Sequence, residues 1–573
     1  MTATDLSLSL VSHTNVGKTT LARTLLGRDI GEVRDEAHVT ELAEPFVMAE
    51  SPAGDRLLLW DTPGFGDSQR LARRLAQAGN PLGWLLTEVW DRWRDRAFWA
   101  SQRAIRHVLA QADVALYLVN AAEAPEDAGY LAPELQVLAL LGKPVIVLLN
   151  QLGEPGTAAD EALQVQRWQA HLAGLTLADN AAAGHRGANA PLVNELLPLV
   201  RAVLPLDAFA RCWVQEVVLL QAVHAALPAN RQPAMARLTA AWRSRQRGIW
   251  SASMAVLADR LARAALDRER LASGGWRAPL RRVGHQLGRA LGLAGEASDT
   301  PQTQAMAALA ARLDADIRRG TEVLIHLHGL QGQATGEVLA RLAQLFARRE
   351  PVSEGKSAVW GGLVAGALAG LKADLATGGL TMGGGLLAGG VLGAIGGSAA
   401  ARGVNHIRGL DQPLLAWDDA VLDALLRSAL LGYLAVAHHG RGRGDWQSGE
   451  PPAAWLLVVD AVLAERRPAV QALWQRRAGC LAGPVAAASA ESAESAGSAG
   501  FDDEGQPVSR LPAAAISPPA DWLAALQALL ADASAGALVR LYPEAAPLAF
   551  AETGGVPAGP AVMPSAAATR PGR

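Results

Sequence analysis

Residues 12–20 constrain the fold of this chain most. They read Ser-His-Thr-Asn-Val-Gly-Lys-Thr-Thr and follow residues 6–11, in which apolar and small polar side chains alternate. The alternation predicts a strand, and the Gly-Lys-Thr predicts a tight loop that leads into a helix. In such a loop, backbone N–H groups hold a polyphosphate, Lys18 contacts the β and γ oxygens, and the Thr19 hydroxyl is a ligand for Mg²⁺.

This pattern is that of a phosphate-binding P-loop, with one departure. Ser12 stands where the pattern usually begins with Gly. Short patterns also match by chance, so the remainder of the N-terminal region has to support the prediction. The nucleotide-binding residues predicted in the loop are Ser12, Thr14, Asn15, Val16, Gly17, Lys18, Thr19 and Thr20.

A second set of residues supports a nucleotide site. Residues 46–50 and 56–60 are strand-like, are joined by a five-residue turn of the hairpin kind, and lead into Asp61-Thr-Pro-Gly64. In P-loop proteins an Asp at the end of an apolar strand holds Mg²⁺ through the coordination shell of the ion. A Gly three residues later can donate its N–H to the γ-phosphate and move when that phosphate leaves. Thr40, the only Thr between residues 25 and 61, stands where a Thr should complete the metal shell. The predicted Mg²⁺ ligands are therefore Thr19, Thr40 and Asp61.

At this point the chain resembles the Era/TrmE-like group of translation-factor-class GTPases, over roughly residues 5–215. Asn15-Val-Gly-Lys-Thr and Asp61-Thr-Pro-Gly-Phe65 carry the resemblance. It implies an α/β P-loop GTPase fold, with a mixed, mostly parallel sheet and helices on both faces. Phe65 stands where Ras-like members have a water-orienting Gln, a substitution that is common in the Era/TrmE group. Some TrmE-like members hold K⁺ partly through the P-loop Asn, so Asn15 is a candidate K⁺ ligand. The equal alternative is that Asn15 bonds only its own loop.

The resemblance also implies where a base would be read. Two further buried runs, 114–119 and 144–149, precede Asn150-Gln-Leu-Gly153, at the place of a guanine-reading Asn-Lys-x-Asp. Asn150 is kept, but Gln151 replaces Lys and Gly153 replaces the carboxylate that pairs with guanine N1 and N2. Discrimination between GTP and ATP is therefore left open. A last base-contact loop is expected at Asp207 and Ala208, which resemble the usual Ser-Ala pair.

The whole chain resembles a bacterial family in which such a GTPase domain precedes a long domain of unknown function. The carriers are His13-Thr-Asn-Val-Gly-Lys-Thr, Asp207-Ala-Phe-Ala-Arg211, a Gly-rich apolar centre and Ala437-His-His-Gly-Arg-Gly-Arg-Gly444. The family name implies no reaction beyond nucleotide binding. We interpret His438 and His439 as a polar turn rather than a metal site.

Composition limits the class of protein. A length of 573 residues allows two or three domains, and a net charge of −3 argues against general nucleic-acid binding. The two cysteines, Cys212 and Cys480, lie far apart and form no metal or disulfide pattern. With no secretory signal at residues 1–12, we expect a reducing, cytoplasmic location.

The expected organisation has six parts. They are a GTPase domain at 1–215 with a helical insertion at 69–111, a helical domain at 216–350, a Gly-rich apolar helical hairpin at 351–410, a helical region at 411–483, a disordered linker at 484–520, and a terminal helix with a loose tail at 521–573.

The Gly-rich region is the second informative feature. Gly362, Gly366 and Gly370 recur every four residues, as do Gly385, Gly389, Gly393 and Gly397. In a helix they form a smooth ridge, which predicts a Gly-zipper hairpin with a tight partner or a low-water environment. A hairpin that inserts into or lies on the inner membrane, a soluble close-packed helix pair and a flexible Gly-rich loop all remain open. The basic stretch 277–289 is either a solvated face or a contact for anionic lipid.

We therefore expect hydrolysis of GTP to GDP and phosphate by in-line attack of water. Lys18, Mg²⁺ and loop N–H groups would stabilise the transferred phosphoryl group, and Gly64 would sense it. No residue is an obvious general base, so a low intrinsic rate is expected, with K⁺, a homodimer or a partner supplying the rest. The expected role is a nucleotide switch that controls the helical domain. The alternatives are a nucleotide-gated membrane-associated scaffold with little hydrolysis, and an ATPase.

Overall fold

The computed structural model describes residues 3–27, 44–66, 96–153, 157–183, 199–270, 301–330, 404–407, 414–417, 419–440, 452–481 and 518–551. Several predicted features lie outside these residues. They are Thr40, residues 69–95 of the insertion, the basic stretch 277–289, the Gly-zipper at 357–402 and residues 484–517 of the linker.

Short apolar runs in the N-terminal part form one sheet. Its strands are β1 (Asp5–Ser12), β2 (Glu44–Glu50), β3 (Arg56–Asp61), β4 (Val114–Asn120), β5 (Val145–Asn150) and β6 (Val200–Pro205). They lie in the order β2-β3-β1-β4-β5-β6; β2 is antiparallel to β3, and every other neighbouring pair is parallel. The predicted mostly parallel sheet is confirmed, and the predicted strands lie within two residues of the observed bounds.

Helices cover both faces of this sheet. They are α1 (Lys18–Leu26), α2 (Arg96–Gln111), α3 (Leu131–Leu140), α4 (Ala158–Ala183), α5 (Trp213–Ala226) and α6 (Gln232–Leu266). Alternate residues along β4 and β5 belong to different apolar clusters, as the twofold period of a strand requires, and the three leucines of β1 share one of these clusters. Helices α2, α3 and α4 pack on one face, and α1, α5 and the first third of α6 pack on the other. The sheet is therefore buried on both sides, as parallel sheets usually are.

The C-terminal part is mainly helical. Its helices are α7 (Pro301–Leu327), α8 (Asp419–Ala437), α9 (Ala453–Glu465), α10 (Arg467–Leu481), α11 (Ala520–Leu541) and α12 (Ala545–Phe550). With the C-terminal half of α6 they share one large apolar cluster. Pro468 separates α9 from α10, because a proline in a helix interior removes an N–H donor and clashes with the preceding turn.

Three short strands also belong to this part, which the sequence predicts to be mostly helical. They are β7 (Arg268–Arg270), β8 (Val404–Ile407) and β9 (Leu414–Trp417), in the order β7-β9-β8 and antiparallel. Strand β8 lies within the range predicted as a helical hairpin, and β9 within a range predicted as helix. Strands of three or four residues carry too little periodicity to be predicted, and Arg268 pairs with Ala416, far along the chain.

Two described helices are long and apolar enough to cross a membrane. They are Asp419–Ala437 and Ala520–Leu541, of whose most apolar stretches 67% and 44% respectively are buried within the protein. Both belong to the apolar cluster of the C-terminal part. Core helices of soluble proteins pass the same test of length and composition, so the finding is weak support for a membrane span.

His438 and His439, which we interpreted as a polar turn, lie at a turn after α8, and their side chains are buried. The two residues are 1% and 5% exposed and follow the end of α8. The Nδ1 of His438 lies 2.7 Å from the carbonyl oxygen of Leu434, and its ring packs against those of Trp455 and Tyr542. Side chains from neighbouring parts of the helical region therefore bury the ring of His438.

Candidate functional site

The carboxyl ends of β1, β3, β5 and β6 bring the predicted site residues to one edge of the sheet. The P-loop follows β1, Asp61 ends β3, Asn150 ends β5 and Asp207 follows β6. Because these strands are mutually parallel, their carboxyl ends meet at the same edge. In open α/β sheets this edge is where ligands bind.

The P-loop has the backbone of a tight turn. Asn15 and Gly17 both lie in the left-handed region, with φ angles of 67° and 95°. A Cβ atom on Gly17 would lie 2.9 Å from Nδ2 of Asn150, so the loop needs glycine for its conformation and for space. Helix α1 begins directly after it, at Lys18. The side chains of Val16 and Thr20 are buried behind the loop.

Lys18 is held in a nearly closed environment. It is 8% exposed, and its Nζ donates to the Ser12 hydroxyl oxygen over 2.9 Å. Burial lowers the pKa of Lys18, and the nearby carboxylates of Asp61 and Glu134 oppose that change. A negatively charged phosphate at this point would relieve the same desolvation cost.

Thr19 and Asp61 form a pair that fits Mg²⁺. The hydroxyl of Thr19, in the first turn of α1, donates to Oδ2 of Asp61, at the end of β3, over 2.5 Å. Hydroxyl and carboxylate oxygens are the hard ligands that Mg²⁺ binds in phosphate sites. The donor set therefore fits the ion, and the third predicted ligand, Thr40, lies outside the described residues.

Gly64 and Phe65 lie directly against the P-loop. The N–H of Phe65 donates to the Ser12 carbonyl over 2.9 Å, and the Thr14 hydroxyl donates to the Phe65 carbonyl over 2.7 Å. A Cβ atom on Gly64 would lie 3.0 Å from Lys18 Nζ and 3.1 Å from the Thr14 Cα. The Phe65 side chain is 1% exposed and packs in the cluster under α2, away from solvent.

Asn150 joins the P-loop to the segment after β6. Its Nδ2 donates to the Val16 carbonyl over 2.8 Å, and its Oδ1 accepts the N–H of Ala208, also over 2.8 Å. Asp207 extends this junction, since its carboxylate accepts the N–H groups of Leu152 and Phe209 over 2.6 Å and 2.7 Å. Burial raises the pKa of Asp207, while these backbone donors work in the opposite direction.

The remaining base-motif positions supply backbone conformation. Gln151 has a φ of 60° and Gly153 a φ of 87°, so two of the four residues from Asn150 onward are left-handed. We name residues 206–210, after β6, the base loop. The structure thus brings Asn150, Gln151, Asp207 and Ala208 together beside the P-loop.

A buried carboxylate beneath the P-loop was missed by sequence reasoning. Glu134, in α3, is 0% exposed and accepts the hydroxyl of Tyr117 over 2.7 Å. Its other oxygen lies 2.7 Å from Nδ1 of His13, whose ring stacks on Tyr130. The available signal was that Glu134 is the one charged residue in the helix Leu131–Leu140, whose other residues are apolar except for Gln136. A lone carboxylate in such a helix needs buried partners.

Comparison with known proteins gives two family matches. The profile of the 50S ribosome-binding GTPases matches residues 7–151, and that of a domain of unknown function, DUF3482, matches residues 199–498. None of the curated proteins compared with the chain matches it.

Solved structures with similarity include Era and Toc33. An Era variant from Aquifex aeolicus, bound to GDP·AlF4⁻, is 19% identical with a TM-score of 0.25, over 39% of this chain and 57% of that one. Era in complex with MgGDPNP and a segment of 16S ribosomal RNA is 20% identical with a TM-score of 0.26, over 40% of this chain and 58% of that one. Toc33 from Arabidopsis thaliana is 15% identical with a TM-score of 0.23, over 36% of this chain and 72% of that one.

The second family match covers more than half of the chain, and the first covers the P-loop, Asp61 and Asn150. The structure gives the matched N-terminal part a P-loop at the edge of a mostly parallel α/β sheet, and gives the other part a mainly helical core. The chain therefore belongs to the DUF3482 family, with a GTPase domain of the 50S ribosome-binding type at its N-terminus.

Proposed function

We propose that this protein binds guanine nucleotide with Mg²⁺ and hydrolyses GTP slowly to GDP and phosphate. One observation carries the proposal: Lys18, the Thr19–Asp61 pair and the Asn150–Ala208 junction lie together at one sheet edge. These groups supply, in turn, a cation for the phosphates, oxygen ligands for a metal, and a framework beside which a base can lie.

In the proposed mechanism the chain positions the phosphates and water attacks in line. Lys18 exchanges its bond to Ser12 for bonds to the β and γ oxygens, and the loop N–H groups of residues 15–19 stabilise the transferred phosphoryl group. Gly64 lies close enough to Lys18 for its N–H to bind the γ-phosphate. Mg²⁺, held by Thr19, Asp61 and in our proposal Thr40, would neutralise charge on the phosphate oxygens.

The expected rate is low, because Phe65 cannot take the place of a water-orienting Gln. Its side chain packs into the apolar cluster under α2 and carries no polar atom. The missing orientation of the attacking water is proposed to come from K⁺ at Asn15, from a second copy of the chain or from another partner. The left-handed φ of Asn15 equally suits a side chain that bonds its own loop.

The choice of base is the finer part of the proposal. The amide of Asn150 is already engaged at both ends, and Gly153 carries no carboxylate for guanine N1 and N2. Guanine would then be read by Gln151 and by backbone groups of the base loop around Asp207 and Ala208. Such a site should discriminate less sharply than one with the carboxylate.

A switch acting on the helical part is proposed as the role. Helices α5 and α6 pack on the sheet and continue into the helical cluster, which gives a physical route between the two parts. The six domain limits, the cytoplasmic location and contact of the Gly-rich segment with a membrane surface stay predictions. No nucleic-acid partner is proposed.

The first experiment is a titration with fluorescent GTP and ATP analogues in the presence of Mg²⁺, in K⁺ and then in Na⁺. Lys18→Ala is compared with Lys143→Ala, which removes a lysine remote from the P-loop. GTP binding that is stronger than ATP binding, lost in Lys18→Ala and kept in the control, supports the proposal. Equal binding of both nucleotides means that the base is not read and favours the ATPase alternative. Absence of binding in the unaltered protein contradicts the proposal.

Hydrolysis is measured in the same conditions by release of inorganic phosphate. We expect slow turnover that requires Mg²⁺ and is lost in Asp61→Ala. A rate in K⁺ well above that in Na⁺ would support Asn15 as a K⁺ ligand, and its loss in Asn15→Ala would be the direct test. Bound nucleotide that is never hydrolysed would instead support a scaffold whose output is assembly.

A further inference from the structure

The segment that follows α8 lies against the base loop. The N–H of Gly440 donates to the Phe209 carbonyl over 3.1 Å, and His439 forms a β-bridge with Ala210. These residues belong to the C-terminal part of the chain, about 230 positions beyond the base loop by the sequence numbering. The helical part therefore contacts the very loop that, in the proposed function, lies beside the base.

Gly440 is needed there for space. A Cβ atom on this residue would lie 2.1 Å from the Ala208 carbonyl oxygen and 2.6 Å from the Phe209 carbonyl carbon. Both are backbone atoms, so no flexible side chain can move aside. Gly440 is not among the residues with positive φ, so alanine would be compatible with its backbone conformation. Substitution would therefore act by pushing the base loop away.

Ala208 is the point where contacts from the helical part and the nucleotide site meet. Its N–H donates to Asn150 Oδ1 over 2.8 Å, and its carbonyl accepts the hydroxyl of Thr24, in α1, over 2.8 Å. Asn150 in turn holds the Val16 carbonyl of the P-loop. Displacement of Ala208 would thus disturb the P-loop through one intervening side chain.

The other end of the contact is firmly held. The ring of His438 packs against those of Trp455, in α9, and Tyr542, which follows α11, with ring centroids at 4.7 Å and 5.6 Å. Its Nδ1 lies against the carbonyl of Leu434 in the last turn of α8. Since residue 438 is fixed by three helices, movement of the base loop is resisted by the core of the helical part.

We propose that residues 438–440 are a positioning element of the nucleotide site, through which base-loop order and the packing of α8, α9 and α11 are coupled. This inference rests on the proposed function, because it assumes that a nucleotide orders the base loop. Coupling of this kind is reciprocal: if the contact favours nucleotide binding, bound nucleotide must stabilise the contact by the same free energy.

The test compares Gly440→Ala with Gly248→Ala in the full chain. Gly248 is an exposed residue of α6, and a Cβ atom there would meet nothing within 4 Å. Fluorescent GDP is titrated against each variant. We expect the dissociation constant to rise by about tenfold or more in Gly440→Ala and to change by less than about twofold in Gly248→Ala. If Gly440→Ala binds GDP with unchanged affinity while the unaltered protein binds normally, this inference is overturned and the proposed function is not.

A second measurement needs no variant and so does not depend on how Gly440→Ala folds. Hydrogen exchange of the peptide ending at residue 440 is followed with and without saturating GDP. Slower exchange in GDP, alongside protection of the P-loop, is the expected result. Protection of the P-loop with no change at residues 438–440 would overturn the inference and leave the proposed function standing. Failure of GDP to bind at all would overturn both.

Discussion

At the scale of single residues, Asn150 combines a structural and a proposed functional role. Its amide is buried and bonds Val16 on one side and Ala208 on the other. Asn120 occupies the equivalent end of the neighbouring strand β4, but its amide bonds Glu123 and Ala122, in the exposed turn that follows. The two asparagines therefore separate the effect of residue type from that of position.

Asn150→Ala should lower the free energy of unfolding by about 1–3 kcal/mol, because a buried carbonyl and a buried N–H lose their partners. We also expect a marked loss of nucleotide affinity, since the P-loop and base loop would no longer be tied together. Asn120→Ala should change both quantities little. Urea unfolding and nucleotide titration of the two variants give the comparison. Equal effects at the two sites would show that the link made by Asn150 between the P-loop and the base loop matters neither for stability nor for nucleotide binding.

Residue patterns predicted the side chains that follow strands, but not those that meet from separate elements. Lys18, Thr19, Asp61 and Asn150 follow strands whose pattern is plain in the sequence, and the sheet order then brings them together. The contacts of Glu134 depend on how α3 rotates against β4, and a single charged residue does not define that rotation. Such contacts are set by packing, for which a local pattern contains no information.

At the scale of elements, an ion pair with a buried carboxylate, between Asp55 and Arg237, joins the β2–β3 hairpin to helix α6. Arg237 donates through two nitrogens to Asp55 over 2.7 Å and 2.9 Å, and Asp55 also accepts the Ser51 hydroxyl. Asp55 is 0% exposed, and the guanidinium beside it holds the pKa of its carboxyl well below the usual range. Asp5 and Arg56 form a similar two-nitrogen pair at the surface, with side chains 44% and 48% exposed.

Asp55→Ala should destabilise the protein clearly more than Asp5→Ala does, because it leaves Arg237 without its partner and the buried Ser51 hydroxyl without its acceptor. Asp5→Ala should cost less than about 1 kcal/mol, since exposed pairs contribute little. Urea unfolding at neutral pH measures both. The contribution of Asp55 should persist down to its unfolded pKa of 3.8 and be lost only in stronger acid, because its folded pKa is lowered. A loss equal to that of Asp5→Ala would mean that the hairpin does not depend on α6.

Strands and helices with a long apolar pattern could be predicted from the sequence. Short strands that exist because distant segments of the chain pair with one another could not. Strands β4 and β5 are near-continuous apolar runs because both of their faces are buried, and β1 shows a plain alternation of Leu and Ser. Strands β7, β8 and β9 hold three or four residues each, and exist because segments far apart in the chain pair with one another. In the same way, the period of α6 indicated a helix without indicating that one helix would serve two cores.

At the scale of the whole molecule, three histidines make stability depend on acidity. Burial lowers the pKa of His107, His328 and His438 to about 4, from an ordinary value of 6.5. His107 lies under the sheet beside Ser9, whereas the other two lie in the helical core. Because the folded values are the lower ones, the unfolded chain binds more protons between about pH 6.5 and 4.

We therefore expect each of these histidines to contribute fully to stability above about pH 6.5 and progressively less below it, by up to about 1.4 kcal/mol per pH unit. Burial raises the pKa of Glu161 and of Glu216 to about 7, so these two carboxyls act in the opposite direction over the same pH range and reduce the net slope. Urea midpoints measured from neutral pH downward check this. His107→Gln should reduce the slope, because glutamine does not titrate but can still bond the Ser9 hydroxyl. An unaltered slope in this variant would show that His107 does not contribute.

The long helix α6 contributes apolar residues to the cores of both parts of the chain. It has 35 residues, about 52 Å at 1.5 Å per residue. Its first apolar residues, including Met235 and Leu238, complete the sheet cluster together with Leu219 and Leu220 of α5. Its last ones, including Leu257, belong to the helical cluster. The polar stretch 243–247, Arg-Ser-Arg-Gln-Arg, lies between the two halves.

A fragment ending at the predicted domain limit, residue 215, should consequently fail to fold as a soluble domain. It would expose the sheet face on which α5 and α6 pack, and apolar area exposed to water costs about 25 cal/mol per Å². A fragment ending at residue 247 keeps these helical residues and stops in the polar stretch, so it should be soluble and unfold cooperatively in urea. Soluble yield and urea unfolding of both fragments give the answer. Cooperative unfolding of the shorter fragment would show that the sheet needs neither helix, and that α5 and α6 belong to the helical part alone.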